Sequence, residues 1–322
     1  MTTSKIQKQN SFFKSIIDLI DNLQTDDDCR MFLENVRWNG EPECPHCGVK
    51  SEKHYKLNKS DFKGLYKCKD CRNRFTITVG TMFESSHISL RKWFLAIFIF
   101  ASHKKGISSV QLHKDLNITQ KTAWYMLNRI RYNFNQENIV VFDGEVQADE
   151  TYVGGNARKK NNEHQNTQGR SLKIKTPVFG LISNGTVYTK VIPNAKGTTL
   201  KSIISAKVLK GTTLITDGWR GYKGLGEDYR HEVVEHSKGT YKRGRFHTNA
   251  IEGFWSILKR GLIGIYHFCS VKHLGKYCNE FSFRFNTRDM SDGQRFVEVL
   301  KIINNRLTYK NLINTISVIK TE

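Results

Sequence analysis

Two C-x-x-C pairs constrain the fold of this 322-residue chain more than any other feature. Cys44 and Cys47 form the first pair, Cys68 and Cys71 form the second, and twenty residues separate the two pairs. Each pair can form a tight turn, and four thiolates complete a tetrahedral zinc site that leaves no position open for a substrate. The spacing therefore predicts a zinc ribbon over residues 43–80, in which one structural Zn²⁺ replaces the core that so short a segment lacks.

Thiol–disulfide redox chemistry remains the alternative for these cysteines. Close pairs in a chain without an evident export signal favour metal binding over disulfides. His46 and His54 are predicted not to be ligands. The other cysteines are interpreted as ordinary buried small residues: Cys29, Cys269 and Cys278.

The charge balance indicates a polyanionic partner. The chain has 51 Lys and Arg against 30 Asp and Glu, a net charge of +21, and a pI of about 9.7. Such an excess destabilises a compact chain by self-repulsion unless a polyanion is the usual partner, and nucleic acid is the natural candidate. A general basic bias is the alternative. Charge alone separates neither DNA from RNA nor binding from catalysis.

The distribution of apolar residues predicts a cytoplasmic protein. Residues 1–10 are polar and no apolar segment of a secretory signal follows them. The most apolar run, residues 93–101, is far shorter than the roughly 18 residues that a membrane span requires.

Helical periodicity surrounds the cysteine module. Apolar spacing predicts an N-terminal helical segment within residues 1–42. After the module, helices are predicted at residues 90–103 and 108–116, and Thr119 is predicted to cap a third helix that ends near residue 134. Short helix, turn and helix is the spacing of a helix-turn-helix, which we assign to residues 88–135.

The polar positions of the third predicted helix are candidate DNA contacts. Its apolar residues share one face, so the polar residues elsewhere on it are predicted to meet a groove and its phosphates. An ordinary helical bundle would show similar periodicity and is the alternative. The candidates are Gln120, Lys121, Tyr125, Asn128 and Arg129.

From residue 140 to 290 the pattern changes to alternating strands and helices. A helix is predicted at residues 198–209 and another from Asn249, whereas residues 156–175 form a basic surface loop. Residues 291–322 are predicted to form a C-terminal helical tail. Strands are predicted at residues 145–153, 177–183, 187–193, 213–216 and 232–235.

Three acidic residues of this α/β segment lie at strand and helix positions from which their carboxylates can converge. Asp149 lies in the first strand, Asp217 directly follows the fourth, and Glu252 lies in the first turn of the helix that begins near Asn249. An acid among apolar strand positions is costly unless it is paired or binds a metal ion. The layout matches an α/β RNase H-like domain, with a mixed five-stranded sheet and flanking helices. Glu150 is the main rival of Asp149, and a plain turn is the alternative for Asp217.

Carboxylates suit phosphodiester chemistry. Two divalent ions roughly 3.5–4 Å apart stabilise both the attacking and the leaving oxygen of an in-line displacement. Hard oxygen ligands prefer Mg²⁺ or Mn²⁺, unlike the thiolate site upstream. We therefore predict two Mg²⁺ (or Mn²⁺) ions at Asp149, Asp217 and Glu252.

Blocks around these acids resemble the zinc-ribbon DDE transposases of the IS1595 insertion-sequence family, also called ISXO2-like. The ribbon, the helical segment and the acid blocks occur in the family's order, and the resemblance runs from about residue 25 to 288. The matching blocks are FLENVRW (32–38), QADETYVGG (147–155), TDGWRGY (216–222), HTNAIEGFW (247–255) and YCNEFSFRFNTR (277–288).

The resemblance implies that Asp149, Asp217 and Glu252 form the catalytic DDE triad. Thirty-four residues lie between Asp217 and Glu252, in keeping with the short second spacer of such enzymes. Some relatives carry Asn at the last position, and the full acid set here favours activity. Lys259 lies two turns after Glu252 and is a candidate contact to transposon-end DNA, with a solvated lysine as the alternative.

Residues near the acids have several interpretations. His247 and Asn249 are candidates to orient DNA or the start of the helix, and a plain N-cap is the alternative for Asn249. Base stacking is considered for three aromatic residues, although core packing is favoured for the last of them: Trp219, Tyr222 and Trp255. The basic loop at residues 158–175 grips flanking DNA or is a mobile surface loop.

The resulting hypothesis is an insertion-sequence transposase that binds transposon ends and cleaves and joins DNA. Its partners would be double-stranded DNA, both ends and target, and further copies of the chain in a homodimer or a larger synaptic assembly. Two alternatives remain: a domesticated DNA-binding regulator, and an RNase H-like nuclease without strand transfer.

Overall fold

The computed structural model describes residues 13–57, 63–135, 141–154, 172, 174–235 and 244–314. Its helices are α1 (Ile16–Asn22), α2 (Asp26–Trp38), α3 (Leu90–Ser102), α4 (Ser109–Leu116), α5 (Gln120–Tyr132), α6 (Gly197–Lys207), α7 (Asn249–Gly261), α8 (Val271–Asn286), α9 (Asp292–Lys301) and α10 (Tyr309–Asn314). Its strands are β1 (Tyr55–Lys56), β2 (Tyr66–Lys67), β3 (Arg74–Phe75), β4 (Glu145–Gly154), β5 (Lys175–Ser183), β6 (Thr186–Val191), β7 (Thr213–Asp217) and β8 (Arg230–Val234).

The chain divides into two compact units. The first comprises residues 1–134 and 287–314, and the second comprises residues 135–286 and 315–322. The first unit is therefore built from two segments that are separated in sequence by residues 135–286 of the second unit. No helix in the described part of the chain is long and apolar enough to cross a membrane.

Aromatic side chains hold the two ends of the first unit together. The Phe296 ring of α9 lies 5.8 Å from that of Phe13, 6.3 Å from that of Phe32 and 5.5 Å from that of Phe94 (centroid to centroid). Phe296 is fully buried, and burial of such a side chain stabilises a fold by roughly 1.5–3 kcal/mol. The helix predicted from residue 292 is thus present, and its apolar face lies in the core of the first unit.

The helices α4 and α5 begin where the sequence predicts. The hydroxyl of Ser108 accepts the backbone N–H of Gln111, and that of Thr119 accepts the N–H of Thr122. Asn117 ends α4 in the left-handed conformation, with φ of 48°. These caps confine the chain between the two helices to a short turn.

A mixed five-stranded sheet forms the centre of the second unit, as predicted. The strand order is β6-β5-β4-β7-β8. The strands β4, β5 and β6 pair antiparallel, whereas β4, β7 and β8 pair parallel. Consequently the two strands that carry Asp149 and Asp217 are parallel neighbours.

Each face of the sheet buries a separate apolar cluster. On one face Val146 and Ala148 of β4 pack with Leu200 and Ile204 of α6. On the other face, Val178 of β5 belongs to the cluster that contains the apolar residues of α7 and α8. Side chains alternate along a strand, so the odd-numbered residues of β4, including Gln147 and Asp149, face α7.

Candidate active site and zinc centre

Four thiol groups of the first unit lie close together. The Sγ atoms of Cys44 and Cys71 are 3.7 Å apart, those of Cys47 and Cys68 are 3.6 Å apart, and all four lie within 4.8 Å of one another. Zn–S bonds of about 2.3 Å in a tetrahedron give Sγ–Sγ separations of about 3.8 Å. The donor set and its spacing therefore fit one Zn²⁺ ion.

The structure around the thiols agrees with a ribbon. The strands β1, β2 and β3 are two residues each and pair antiparallel in that order. Trp38 of α2 covers them, its ring meeting those of Tyr66 and Phe75 edge-on at 5.4 and 6.0 Å. Such short strands bury little apolar surface, so the metal centre has to supply most of the stability.

The histidines near the cysteines have other partners. The backbone N–H of Lys69 donates to Nδ1 of His54, so Nε2 carries the proton and donates to the carbonyl of Val49. Nε2 of His46 lies 3.2 Å from the carbonyl oxygen of Arg74. Neither belongs to the cysteine cluster. This agrees with the prediction that they are not ligands.

Asp149 and Asp217 are brought together by strand register. Ala148 of β4 pairs with Thr216 of β7 in the parallel ladder, so the next residue on each strand is one of these two acids. Asp217 ends β7, and one of its carboxylate oxygens accepts the backbone N–H of Trp219 at 3.0 Å. Asp149, in the middle of β4, is thus on the strand next to the carboxyl end of β7, where Asp217 lies.

The environment of Asp149 disfavours its charged form. Burial, followed by the negative charges of Glu150 and Asp217, raises the pKa of Asp149 to about 7. A hydrogen bond from Trp255 opposes this shift only in part. A cation beside Asp149 would offset the same cost, which makes the position chemically suited to metal binding.

Trp255 connects Asp149 to the helix that carries Glu252. The indole N–H of Trp255 donates to Oδ2 of Asp149 at 3.0 Å. Gly180 is the cross-strand partner of Asp149, and a Cβ there would lie 2.7 Å from the Trp255 ring. The glycine therefore leaves the space in which the indole lies over the sheet.

The helix α7 begins against β4. Oε1 of Gln147 accepts the backbone N–H groups of Ala250 and Ile251 at 3.1 and 3.2 Å. The N-cap position is Thr248, so the interpretation of Asn249 as the N-cap was wrong. Asn249 is instead the exposed first residue of the helix, and Nδ1 of His247 lies 3.5 Å from Nε2 of Gln147.

Glu252 lies one turn before Trp255 and is exposed. The hydroxyl of Thr248 donates to its Oε1 at 2.7 Å. Among the described residues only the four cysteines bring three or more potential ligand atoms within 4.8 Å of one another. The carboxylates of Asp149, Asp217 and Glu252 do not together form such a group.

Glu150 points to the opposite face of the sheet. It is buried, and its Oε2 accepts the hydroxyl of Tyr222 at 2.7 Å. Trp255 is buried, as the favoured interpretation of core packing predicts, and Tyr222 is buried too, which contradicts the base stacking considered for it. Trp219 remains 38% exposed, and its indole N–H donates to the carbonyl of Ala195.

The candidate DNA contacts on α5 divide into two groups. Gln120 and Lys121 are exposed at the start of the helix, whereas Asn128 and Arg129 are 0% and 3% exposed. The outward orientation expected for the latter two was therefore wrong. Tyr125 is intermediate in exposure.

The C-terminal segment covers this part of α5. The hydroxyl of Tyr125 and the guanidinium of Arg129 both donate to the carbonyl of Leu307. The ring of Tyr309 contacts that of Tyr125 at 5.6 Å and lies 5.1 Å from Nζ of Lys121. Sequence periodicity had no means of showing this, because the covering segment is about 180 residues away.

The remaining predicted DNA contacts are an exposed lysine and a loop that lies mostly outside the described residues. Lys259 is exposed on α7. The basic loop at residues 158–175 lies mostly outside the described residues. Several functional details were missed in the sequence: the cap supplied by Gln147, the hydrogen bond from Trp255, and the space left by Gly180. Of these residues only Gln147 was recognisable from the sequence, because it is a polar residue two positions from Asp149 on the same strand face.

Comparison with known families matches two parts of the chain. A family model described as "ISXO2-like transposase domain" covers residues 141–286, which include all three acids. A second model, described as "Transposase zinc-ribbon domain", covers residues 24–74. The zinc ribbon predicted from the cysteine spacing is thereby confirmed.

Two curated proteins and one solved structure are similar to the chain. An uncharacterized protein in transposable element ISH50 of Halobacterium salinarum is 31% identical over 243 residues, covering 71% of this chain and 81% of that protein. An uncharacterized transposase-like protein of Haemophilus influenzae is 31% identical over 105 residues, covering 32% of this chain and 84% of that protein. A pre-cleavage Mos1 transpososome has 11% identity and a TM-score of 0.25, covering 62% of this chain and 75% of that one, a likeness too weak to define a fold.

The family models and the extent of the similarity to the ISH50 protein agree with each other. They also agree with the cysteine cluster and with the sheet that carries the acids. The chain belongs to the ISXO2-like family of insertion-sequence transposases.

Proposed function

We propose that the chain binds the ends of its insertion sequence and catalyses metal-dependent cleavage and strand transfer of DNA. Asp149, Asp217 and Glu252 are proposed to hold two Mg²⁺ or Mn²⁺ ions. The observation that carries this proposal is the juxtaposition of Asp149 and Asp217 on neighbouring parallel strands. The hydrogen bond from Trp255 to Asp149 supports it further, because it connects α7, the helix that carries Glu252, to Asp149.

The donor set suits the proposed ions. Bound there, two such ions would activate the attacking hydroxyl and stabilise the leaving oxygen. Ligands on two ions about 4 Å apart, with metal–oxygen bonds of about 2.1 Å, can lie up to about 8 Å from one another. That the three carboxylates do not form one close group is thus compatible with a two-ion centre.

The sheet supports an RNase H-like assignment for the second unit. Three antiparallel strands in sequence, followed by two strands parallel to the first, place the first and fourth strands side by side. In this order the first strand carries Asp149, the neighbouring fourth strand carries Asp217, and the later helix α7 carries Glu252. The same three positions were expected from the RNase H-like layout.

End recognition is proposed for the first unit. The net charge of +21 favours a polyanion, and the capped α4–turn–α5 pair has the spacing of a helix-turn-helix. Gln120 and Lys121 are exposed at the start of α5, where such helices contact base edges. His247, Asn249 and Lys259 are proposed contacts near the cut. Because two ends must be joined, a homodimer or larger assembly is expected.

The test is cleavage and joining of labelled DNA from the edges of the chain's own element, with Mg²⁺ or Mn²⁺. Asp217→Ala should abolish both reactions while the protein stays folded and retains zinc. Asp228→Ala is the matched control, because Asp228 is an exposed acid of the same unit that pairs with Lys210. The control should retain activity.

Two outcomes would contradict the proposal in different ways. Tight end binding without metal-dependent cutting would identify a DNA-binding regulator. Cutting without joining would identify a nuclease.

A further inference from the structure

The start of α7 lacks a cap of its own. The first backbone N–H groups of any helix have no partner inside the helix, and a side chain at the N-cap usually accepts one of them. Thr248 occupies the N-cap, but its side chain makes no such bond and donates to Glu252 instead. The acceptor comes from another element: Oε1 of Gln147 on β4 receives the N–H groups of both Ala250 and Ile251.

A second bond joins the same strand to the same helix. Asp149 follows Gln147 on one face of β4, and its Oδ2 accepts the indole N–H of Trp255. Glu252 lies between the two attachment points on α7. The helix is therefore fixed to the strand on both sides of Glu252, once by an amide and once by the carboxylate of Asp149 itself.

We propose that Gln147 is a positioning residue for Glu252. By capping α7 from β4, it sets the separation between the carboxylates of Glu252 and Asp149, and with it the affinity of the site for divalent cations. The inference rests on the proposed function of these acids as metal ligands. A residue that orients ligands without touching the metal typically changes affinity by 10–100-fold when it is replaced.

A purely structural cap is the competing explanation, and a double-mutant cycle separates the two. Gln147→Met removes the acceptor but keeps the length of the side chain, whereas Gln147→Glu keeps an acceptor oxygen. The full-length, zinc-loaded protein is titrated with Mn²⁺ at pH 7.5, and free Mn²⁺ is followed by electron paramagnetic resonance. The same titration is made with Glu252→Ala and with the double variant.

Positioning predicts a specific pattern. Gln147→Met should weaken Mn²⁺ binding about tenfold or more, and Gln147→Glu should bind within about threefold of the unchanged protein. In the Glu252→Ala background, Gln147→Met should have no further effect, because Gln147 acts through Glu252. Equal Mn²⁺ affinity in Gln147→Met and the unchanged protein overturns the proposal, as does an equal loss in both backgrounds.

A matched control excludes general loosening of the unit. Asn286 of α8 makes a comparable attachment, since its amide accepts the N–H of Val187 and donates to the carbonyl of the same residue. Asn286→Leu should lower thermal stability and leave Mn²⁺ affinity unchanged. A loss of affinity equal to that of Gln147→Met would assign the effect to stability alone and refute positioning.

Failure of the proposed function gives a different result. If the unchanged protein and Asp217→Ala bind Mn²⁺ alike, the carboxylates do not form the metal site and both proposals fail. If Asp217→Ala loses binding while the Gln147 variants do not, the proposed function stands and only the positioning inference fails.

Discussion

The zinc ribbon and the carboxylate cluster relate to the fold in opposite ways. In the ribbon, four thiols are gathered within 4.8 Å by strands only two residues long. In the second unit, a five-stranded sheet with an apolar cluster on each face holds acids whose charges disfavour one another. The ribbon needs its metal to be stable, whereas the sheet is stable in spite of its acids.

This difference teaches how stability and function are divided in the chain. A closed thiolate shell contributes folding energy and has no position left for chemistry. A buried carboxylate costs folding energy, which is the expected condition of a site prepared for a cation. Removing a thiolate should therefore destabilise the ribbon, whereas removing a buried carboxylate should stabilise the unit that contains the sheet.

The largest effect is expected from Cys68→Ala. Loss of one thiolate removes a metal whose binding stabilises small zinc domains by roughly 10–16 kcal/mol, so the ribbon should unfold. Zinc content should fall from one ion to none, and limited proteolysis should cut within residues 43–80. Cys269→Ser, at a cysteine outside the cluster, should keep the zinc. A Cys68→Ala protein with an intact ribbon would break the comparison.

Asp149→Asn should have the opposite effect and stabilise the folded protein. The folded pKa of about 7 lies above the ordinary value of 3.8, so the folded state binds more protons than the unfolded state between these values. Stability conferred by the neutral form is therefore lost as pH rises from about 4 to 7. Without added Mg²⁺, Asp149→Asn should raise the free energy of unfolding at pH 8 by up to about 4 kcal/mol. With Mg²⁺ added, the same variant should not cleave DNA.

The measurement for Asp149→Asn is denaturant unfolding of the zinc-loaded protein at pH 8 and pH 5. The gain should be smaller at pH 5, where Asp149 is already largely protonated. Asp228→Asn, at an exposed position paired with Lys210, is the control and should show no such gain. Equal stability of Asp149→Asn and the unchanged protein at pH 8 would contradict the predicted cost.

Gly180→Ala tests whether packing fixes α7 over the acids. The added Cβ would lie 2.7 Å from the Trp255 ring, and overpacking of this kind costs typically 1–3 kcal/mol. Thermal unfolding should show the loss, and the intrinsic fluorescence should change as Trp255 shifts. Gly253→Ala, on α7 with nothing within 4 Å, should instead stabilise the helix by about 0.5–1 kcal/mol. Two effects of the same sign would contradict the packing argument.

The smallest effect is expected from Lys121→Ala, in the unit that contains the ribbon. Loss of one phosphate contact should weaken binding to element ends severalfold and reduce the slope of log affinity against log salt by about 1. Fluorescence anisotropy at several salt concentrations measures both. Lys301→Ala, at an exposed lysine paired with Glu298, should leave the slope unchanged. An unchanged slope in Lys121→Ala would place the DNA contact elsewhere.

Local features of the molecule were readable from sequence, and long-range ones were not. The spacing of the cysteines predicted the cluster of four thiols that the structure shows, and the pattern of residues 145–153 correctly predicted a strand. Thr119 was recognised as a cap because its acceptor role depends only on the next three residues. The family resemblance correctly identified the transposase family.

What sequence reasoning missed depends on contacts between distant residues. Gln147 caps a helix about 100 residues away, and Gly180 is small because Trp255 lies above it. Arg129 carries a charge and was expected on the surface, yet it is buried, and its guanidinium donates to the carbonyl oxygens of Glu84 and Leu307. No periodicity records such pairings, since each is set by how separate elements pack.

The division of the first unit between the two ends of the chain has a consequence during synthesis. Residues 287–314 are translated after all 152 residues of the interval 135–286, a delay of roughly 8–30 s at ordinary elongation rates. During this delay the aromatic side chains that pack against Phe296 lack that partner, while the sheet has time to form. A premature stop near residue 286 should therefore release a protein whose second unit has folded and whose first unit has not.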